Sequence, residues 1–206
     1  MAKCQLCGIT SPGISKAMAV CLICIRQRPQ EALEMAADAH RTSRAEFGLP
    51  SAPPDDSGGI LCNLCVNTCK IGKNSIGYCG LRKNQDGRLT GASATKAKPS
   101  WYHDPLPTNC VADWVCAAGA GYPTYAHCPE AESGYKNLAV FFQACSFNCL
   151  FCQNWHFKNE TFSSPARTIE DLVGDVDPQT SCICYFGGDP SPQLPFSIKA
   201  SRSARD

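Results

Sequence analysis

The feature that most constrains this chain is its 16 cysteines, which occur in clusters, several at C-x2-C spacing. That spacing lets one tight turn direct two thiolates toward the same metal ion. Secreted disulfide scaffolds are also rich in cysteine, but they are usually short and begin with a signal peptide. This chain has 206 residues and starts MAKCQLCGIT, without the basic and apolar regions of such a peptide. We therefore expect a reduced, cytoplasmic, metal-binding protein of one or two domains.

Charge and hydropathy limit the classes of partner that the chain is expected to bind. The formal net charge is +1, which gives no electrostatic indication of a nucleic-acid or membrane surface. The longest apolar run, AMAVCLICI at 17–25, is far too short to span a bilayer. We expect neither nucleic acid nor membrane as a partner.

The first cysteine zone, residues 1–27, contains the knuckles CQLC and CLIC. Two such turns complete a tetrahedral four-thiolate site, so Cys4, Cys7, Cys21 and Cys24 are predicted to bind a structural zinc ion. A zinc ribbon that binds nucleic acid or a partner is the alternative. No dense basic patch flanks the knuckles, and this favours a site that only stabilises the fold.

Residues 28–59 are predicted to form a helix followed by a linker. The segment 28–49 is rich in Ala, Glu, Arg and Met, which favour helix, and His40 is expected on its solvated face. The segment PSAPPDDSGG at 50–59 has the Pro, Gly, Ser and Asp content of a loop. We place a domain boundary there.

The second cysteine zone, residues 60–100, has the spacing C-x2-C-x3-C-x9-C. Its ligands would be Cys62, Cys65, Cys69 and Cys79, enough for one closed site that holds zinc or a second iron–sulfur cluster. Spacing alone does not distinguish these two. The sequence QDGR at 85–88 is typical of a hairpin turn between short strands.

Residues 101–136 combine Pro, Gly and aromatic residues, which predicts an irregular loop region. The spacing of Cys110, Cys116 and Cys128, with His103 and His127, fits no metal-ligand pattern. Buried free thiols and packing histidines are the favoured interpretation.

The segment 137–206 has the pattern strand, loop, helix, strand. NLAVFF at 137–142 and SCICYF at 181–186 resemble buried parallel strands, and Thr168 can cap a helix over 168–176. Strand, helix and strand make a βαβ unit, whose functional loops follow the carboxyl ends of the strands. The first such loop carries Cys145, Cys149 and Cys152 at C-x3-C-x2-C spacing. Three thiolates leave one corner of a four-coordinate metal site open.

The motifs CSFNCLFC at 145–152, QN at 153–154 and GGDP at 187–190 resemble the radical S-adenosylmethionine (SAM) enzymes, within the group similar to pyruvate formate-lyase activating enzyme. The CNLC…C…YCGLR block at 62–82 is also similar to a segment of that group. The resemblance implies that the loop cysteines hold a 4Fe-4S cluster whose open iron chelates SAM. It also implies that Gly187, Gly188 and Asp189 seat the SAM amino group and that Phe151 lies near the adenine. Asp189 stands where Glu is usual.

The function implied is that of an oxidoreductase that cleaves SAM reductively to a 5′-deoxyadenosyl radical, with glycyl-radical-enzyme activation as one possible role. Flavodoxin or ferredoxin would donate electrons, and a protein could be the substrate. The implied fold is α/β, the N-terminal half or less of a (β/α) partial TIM barrel that follows the cysteine-rich segments, and we expect it to be truncated after the second strand. No residue is assigned as catalytic. The alternative is a non-catalytic zinc or iron–sulfur module or an electron-transfer protein.

Overall fold

The computed structural model describes residues 1–108, 110–121 and 124–205 as a mixed α/β fold with several small sheets. Its helices are α1 Leu22–Gln27, α2 Pro29–Ala45, α3 Ala117–Ala120, α4 Phe157–Glu160, α5 Ile169–Val173 and α6 Leu194–Arg205. Its strands are β1 Ala2–Lys3, β2 Thr10–Ser11, β3 Ile60–Leu61, β4 Lys70–Ile71, β5 Arg82–Gln85, β6 Arg88–Gly91, β7 Lys96–Ala97, β8 Pro99–Pro105, β9 Lys136–Phe142, β10 Arg167–Thr168 and β11 Thr180–Gly187.

The N-terminal unit consists of the hairpin β1–β2 followed by α1 and α2. Pro29 occupies the first turn of α2, where its missing N–H has no helical partner to lose. The structure confirms the helix predicted within 28–49, which ends at Ala45. The prediction for His40 was wrong: its ring Nδ1 lies 3.0 Å from Asn148 Nδ2, because α2 packs against the loop that follows β9.

The hairpin predicted at QDGR is confirmed by the pairing of β5 with β6. Asp86 and Gly87 have φ angles of 50° and 78°, the left-handed conformation that a two-residue hairpin turn requires. A second short hairpin pairs β3 with β4, and Cys62, Cys65 and Cys69 lie in the segment that joins these strands.

The largest sheet has the strand order β11–β9–β8, and it confirms both predicted parallel strands. β9 and β11 are parallel and are connected through α4 and α5, which makes the expected βαβ unit. The helix predicted at 168–176 is confirmed as α5, with a reciprocal capping box between Thr168 and Asp171.

One face of this sheet forms the main core. Leu138, Val140 and Phe142 of β9 are at most 1% exposed and pack with Leu172 of α5 and Phe196 of α6. Side chains alternate along a strand, so the residues between them face away from these helices. Because β9 and β11 are parallel, their carboxyl ends, at Phe142 and Gly187, lie at the same edge of the sheet.

The described residues form small sheets, and no closed barrel is present among them. One expectation about this region needs correction. The region 101–136 is not wholly irregular, because β8 covers 99–105 and pairs antiparallel with β9, so the parallel strands do not stand alone. Pro99 and Pro105 at the ends of β8 hid the strand, since proline is tolerated only at strand ends or edges. Positions 109, 122 and 123 of this region, and 206 of the last segment, lie outside the described residues.

None of the helices in the described ranges is both long and apolar enough to cross a membrane.

Candidate metal centres

The four N-terminal cysteines form a compact tetrad of thiols. The Sγ atoms of Cys4, Cys7, Cys21 and Cys24 all lie within 4.8 Å of one another, with Cys4–Cys24 at 3.8 Å and Cys7–Cys21 at 3.7 Å. Four thiolates bonded to zinc at about 2.3 Å would be about 3.8 Å apart at the tetrahedral edges. These cysteines could therefore hold one metal ion. In the described part of the chain, no other group of three or more His, Cys, Asp or Glu ligand atoms is as compact.

Local backbone geometry aims these thiols inward. Gly8 adopts a φ of 81°, and its N–H donates to the carbonyl of Cys4 at 2.9 Å, which closes the first knuckle. Cys21 is the N-cap of α1, and its sulfur accepts from the N–H of Cys24 at 3.4 Å. The N–H of Cys21 donates in turn to Cys4 Sγ at 3.4 Å. Cys21 and Cys24, at the start of α1, thus supply two of the four sulfur atoms of the tetrad.

The thiols of this tetrad influence one another's ionisation. Burial, and after it the sulfurs of Cys7, Cys21 and Cys4, raise the pKa of Cys24 to about 12. For Cys4, burial also opposes ionisation, but backbone N–H donors, with Cys21 first, lower its pKa to about 6. A bound cation would allow all four to ionise, because it would neutralise the repulsion among them.

The second cysteine zone is gathered by the β3–β4 hairpin. The N–H of Cys62 donates to the carbonyl of Cys69 at 2.8 Å, and the N–H of Tyr78 donates to Cys69 Sγ at 3.5 Å. Burial, together with the charges of Cys65, Cys62 and Cys69, raises the pKa of Cys79 to about 11. The four predicted ligands therefore share one neighbourhood, although their sulfurs are less compact than those of the N-terminal tetrad.

The loop after β9 carries the third set of cysteines. The N–H of Phe147 donates to Cys145 Sγ at 3.4 Å, and the N–H of Cys152 donates to the carbonyl of Cys149 at 3.1 Å. Burial raises the pKa of Cys145, and the charges of Asp189 and Cys149 raise it further. Cys149 is exposed, and Phe151 is 87% exposed. The sulfur atoms of these three cysteines are also less closely grouped than those of the N-terminal tetrad.

The GGDP loop lies directly against this cysteine loop. Gly188 has a φ of 63°, and a Cβ there would lie 2.3 Å from the carbonyl oxygen of Phe142 and 3.1 Å from that of Ala144. Only glycine permits this approach to the end of β9. The carboxylate of Asp189 accepts from Ser146 Oγ, which belongs to the cysteine loop. It also accepts from Ser191, at 2.9 Å from the backbone N–H and 2.7 Å from Oγ.

Two polar contacts hold the cysteine loop from the side of the N-terminal half. Asn148 Nδ2 lies 3.0 Å from His40 Nδ1 of α2, and Asn67 Nδ2 donates to the carbonyl of Ser146 at 2.8 Å. The loop after β9 is therefore fixed between α2 and the second cysteine zone. The pattern of cysteines alone gave no sign of either contact.

A buried arginine, which the sequence analysis missed, lies between the second and third cysteine sets. Arg44 is 1% exposed, its Nε donates to the carbonyl of Pro50 at 2.5 Å, and it also donates to that of Tyr78. Burial lowers the pKa of its guanidinium, while negative charge on Cys79 and Cys145 would raise it. Lys158 is 5% exposed; burial and the charge of Arg44 lower its pKa, while negative charge on Cys152 and Cys145 would raise it. These cations favour thiolate over thiol.

The remaining predicted positions lie in the loop after β8. Both histidines are exposed: His127 stacks on Tyr135 with ring centroids 4.8 Å apart, and His103 Nε2 lies 2.9 Å from the carbonyl of Asp175. The prediction that the thiols are buried was wrong, since Cys110, Cys116 and Cys128 are all partly exposed. The loop covers them incompletely.

Comparison with known proteins gives little further identification. The chain is similar to the uncharacterized protein MJ0808 of Methanocaldococcus jannaschii, with 26% identity over 156 residues. That alignment covers 73% of this chain and 41% of the relative, so the chain spans less than half of the relative's length. No family model matches the chain. No solved structure matches it either.

Proposed function

We propose that the chain is a radical SAM protein, of the group similar to pyruvate formate-lyase activating enzyme. In this proposal Cys145, Cys149 and Cys152 hold a 4Fe-4S cluster, and the GGDP loop binds the amino group of SAM. When bound, such a cluster supplies the electron that cleaves the sulfonium C–S bond of SAM, giving methionine and a 5′-deoxyadenosyl radical. The N-terminal tetrad would hold zinc.

The observation that carries the proposal is the contact between the two loops. The hydroxyl of Ser146, which lies between the first two cluster cysteines, donates a hydrogen bond to the carboxylate of Asp189. The backbone N–H of Asp189 also lowers the pKa of Cys145, which requires the two residues to be adjacent. An amino-acid ligand bound at the open corner of a cluster here would have a carboxylate within reach of its ammonium group.

The residues of the chain fit the proposed cluster in donor type and charge. Three thiolates from one loop leave a fourth corner for SAM. The buried Arg44 and Lys158 offset part of the negative charge that a thiolate-bound cluster would bring. Cys149 is exposed, so the loop is open to a ligand from solvent.

Asp189 would hold the SAM ammonium group, and its neighbours would orient it. Both carboxylate oxygens are engaged, Oδ2 by Ser146 and Oδ1 by Ser191. Oδ1 accepts two hydrogen bonds from Ser191, whereas Oδ2 accepts one from Ser146 and so has a further lone pair for a ligand. Asp is one methylene shorter than Glu, so the close approach of Gly188 to the end of β9 would compensate for the shorter reach.

The same proposal extends to the fold. β9, α5 and β11 would be the first βαβ unit of a (β/α) partial barrel, with the cofactors at the carboxyl ends of its strands. The electron donor would be a flavodoxin or ferredoxin, and the substrate a protein glycine or a small molecule.

The test is turnover of SAM by the anaerobically reconstituted chain. After chemical reduction, 5′-deoxyadenosine would be quantified by mass spectrometry for the wild type, Cys149→Ser and the control Cys128→Ser, a partly exposed cysteine outside the three sets. The proposal predicts 5′-deoxyadenosine from the wild type and the control, and none above background from Cys149→Ser. Equal amounts from all three proteins would contradict it.

The second candidate is a non-catalytic metal-binding or electron-transfer module. It is favoured by the compact N-terminal tetrad, whose sulfurs already have the edge lengths of a closed four-thiolate site. A reconstituted protein that binds metal but neither binds nor cleaves SAM would support this candidate.

A further inference from the structure

We infer that the N-terminal tetrad positions the cysteine loop after β9, residues 145–152, and that α2 transmits this effect. A metal bound by the tetrad would fix the start of α2, and the far end of α2 would hold the loop. The inference rests on the metal proposed for the tetrad, but it does not depend on SAM or on a cluster in the loop. It gives the tetrad a role beyond the stability of the N-terminal unit.

The start of α2 is attached directly to both knuckles of the tetrad. A single residue, Arg28, separates α1 from α2. Its backbone N–H donates to the carbonyl of Cys24 at 2.8 Å, in the second knuckle. Its Nη1 donates to the carbonyl of Leu6 at 2.6 Å, in the first knuckle. A metal that joins the two knuckles would therefore also fix the residue from which α2 begins.

Apolar packing adds to this attachment. Ala32 of α2 is 4% exposed and lies in one buried cluster with Cys4, Cys21 and Cys24, and Met35 packs against the same cluster. Before α2, the N-terminal unit has only a hairpin of two-residue strands and a six-residue helix. Units this small usually need a metal or a disulfide to fold. Loss of the metal would therefore release the first turns of α2.

The far end of α2 contacts the cysteine loop through polar side chains. Asn148 of the loop is 7% exposed, and its Nδ2 lies 3.0 Å from His40 Nδ1. One helical turn further, Ser43 Oγ accepts from Lys158 Nζ at 3.0 Å. Lys158 belongs to α4, which follows the loop. The end of α2 thus holds the loop itself and the helix that comes after it.

Apolar and aromatic side chains extend the same interface. The ring of Phe47, just after α2, lies 6.2 Å from that of Trp155, centroid to centroid. Leu150 of the cysteine loop lines a cleft of about 510 Å³ together with Met35 of α2 and with Met18, which lies between the two knuckles. The cysteine loop, α2 and the segment between the knuckles therefore meet around one cleft.

The geometry of α2 allows one end to orient the other. Ala32 and Ser43 are about three helical turns apart, so they lie on the same side of α2, about 16 Å from each other along its axis. One side of a single helix therefore packs on the tetrad at its start and contacts the loop region at its end. The two states of this device are the metal-bound and metal-free N-terminal unit.

The first test measures hydrogen–deuterium exchange of the loop region when the tetrad loses its metal. The wild type would be compared with Cys7→Ser/Cys24→Ser and with the control Cys128→Ser, all supplied with zinc and free of iron. We expect the tetrad variant to lose one zinc per chain and its exchange at 143–160 to rise about tenfold, because several contacts are released together. Exchange of the β5–β6 hairpin at 82–91, which lies outside these contacts, should stay unchanged.

Two results of this test would overturn the inference. One is loss of zinc from the tetrad variant with unchanged exchange at 143–160, which would show that the hydrogen bonds of Arg44 fix the end of α2 without help. The other is equal zinc content in the wild type and the tetrad variant. Neither result bears on SAM cleavage, which the 5′-deoxyadenosine assay measures separately.

The second test leaves the tetrad intact and so does not depend on whether its variant folds. His40→Ala removes the contact with Asn148, whereas His40→Asn keeps an acceptor at the position of Nδ1, and Arg41→Ala alters the exposed side of α2. We expect all three variants to keep the wild-type zinc content. Exchange at 143–160 should rise about fivefold in His40→Ala and remain near the wild-type rate in the other two. Equal exchange in His40→Ala and His40→Asn would overturn the inference.

Discussion

Replacement of Gly188 by alanine should disrupt the contact between the GGDP loop and the loop after β9. An alanine at a φ of 63° costs about 1–2 kcal/mol, because its Cβ crowds the following carbonyl. The added Cβ would also lie 2.3 Å from the carbonyl oxygen of Phe142, at the end of the buried central strand. Overpacking of that kind costs about 1–3 kcal/mol. We expect Gly188→Ala to lower the free energy of unfolding by about 2–5 kcal/mol.

Gly87→Ala is the matched control for this prediction. Gly87 has a φ of 78°, and a Cβ there would meet nothing within 4 Å. The control therefore isolates the conformational cost of about 1–2 kcal/mol. Both variants gain similarly from the reduced entropy of the unfolded chain, so their difference reports the collision with Phe142.

Urea denaturation followed by tryptophan fluorescence measures both variants. The free energy of unfolding would be compared at equal metal content, with the slope of the transition checked for constancy. Gly188→Ala should be less stable than Gly87→Ala by about 1–3 kcal/mol. Equal stability of the two variants would refute the close approach of the GGDP loop to β9.

Three further predictions concern other parts of the fold. Arg44→Met should cost about 1–3 kcal/mol for each carbonyl left without its donor, whereas Arg41→Met, on the exposed side of α2, should change the free energy of unfolding by at most about 1 kcal/mol in urea titrations. Thr168→Val removes the cap of α5 and should lower stability by about 1 kcal/mol in the same titration; no loss would contradict the capping box. The hydrogen bond from Lys136 lowers the pKa of Asp177, so its stabilisation is present above the unfolded pKa of about 3.9 and is lost as the pH falls through the folded value. Asp177→Asn should therefore be less stable than wild type at neutral pH and should lose less stability on acidification, and parallel pH profiles would contradict this.

The parts of the fold that were predictable from sequence are those decided by local physics. The short segments 137–142 and 181–186 have the composition of strands buried on both faces, and Thr168 has the chemistry of a cap. The N-terminal tetrad was predictable because each C-x2-C pair is aimed by its own turn. In each case, residues within one short window determine the geometry.

The parts that were missed depend on contacts between distant segments. The sequence of the polar helix α2 does not indicate that Arg44 is buried, because its hydrogen-bond partners lie after the helix and near the second cysteine zone. β8 was missed because its prolines argue against a strand, and its pairing with β9 is non-local.

The most direct test of the central proposal is low-temperature EPR of the reconstituted, reduced chain, recorded with and without SAM. Only a cluster with an open iron can bind SAM, so the proposal predicts a 4Fe-4S signal that shifts when SAM is added and disappears in Cys149→Ala. A cluster signal that is identical with and without SAM, or that persists unchanged in Cys149→Ala, would contradict the proposed radical SAM site.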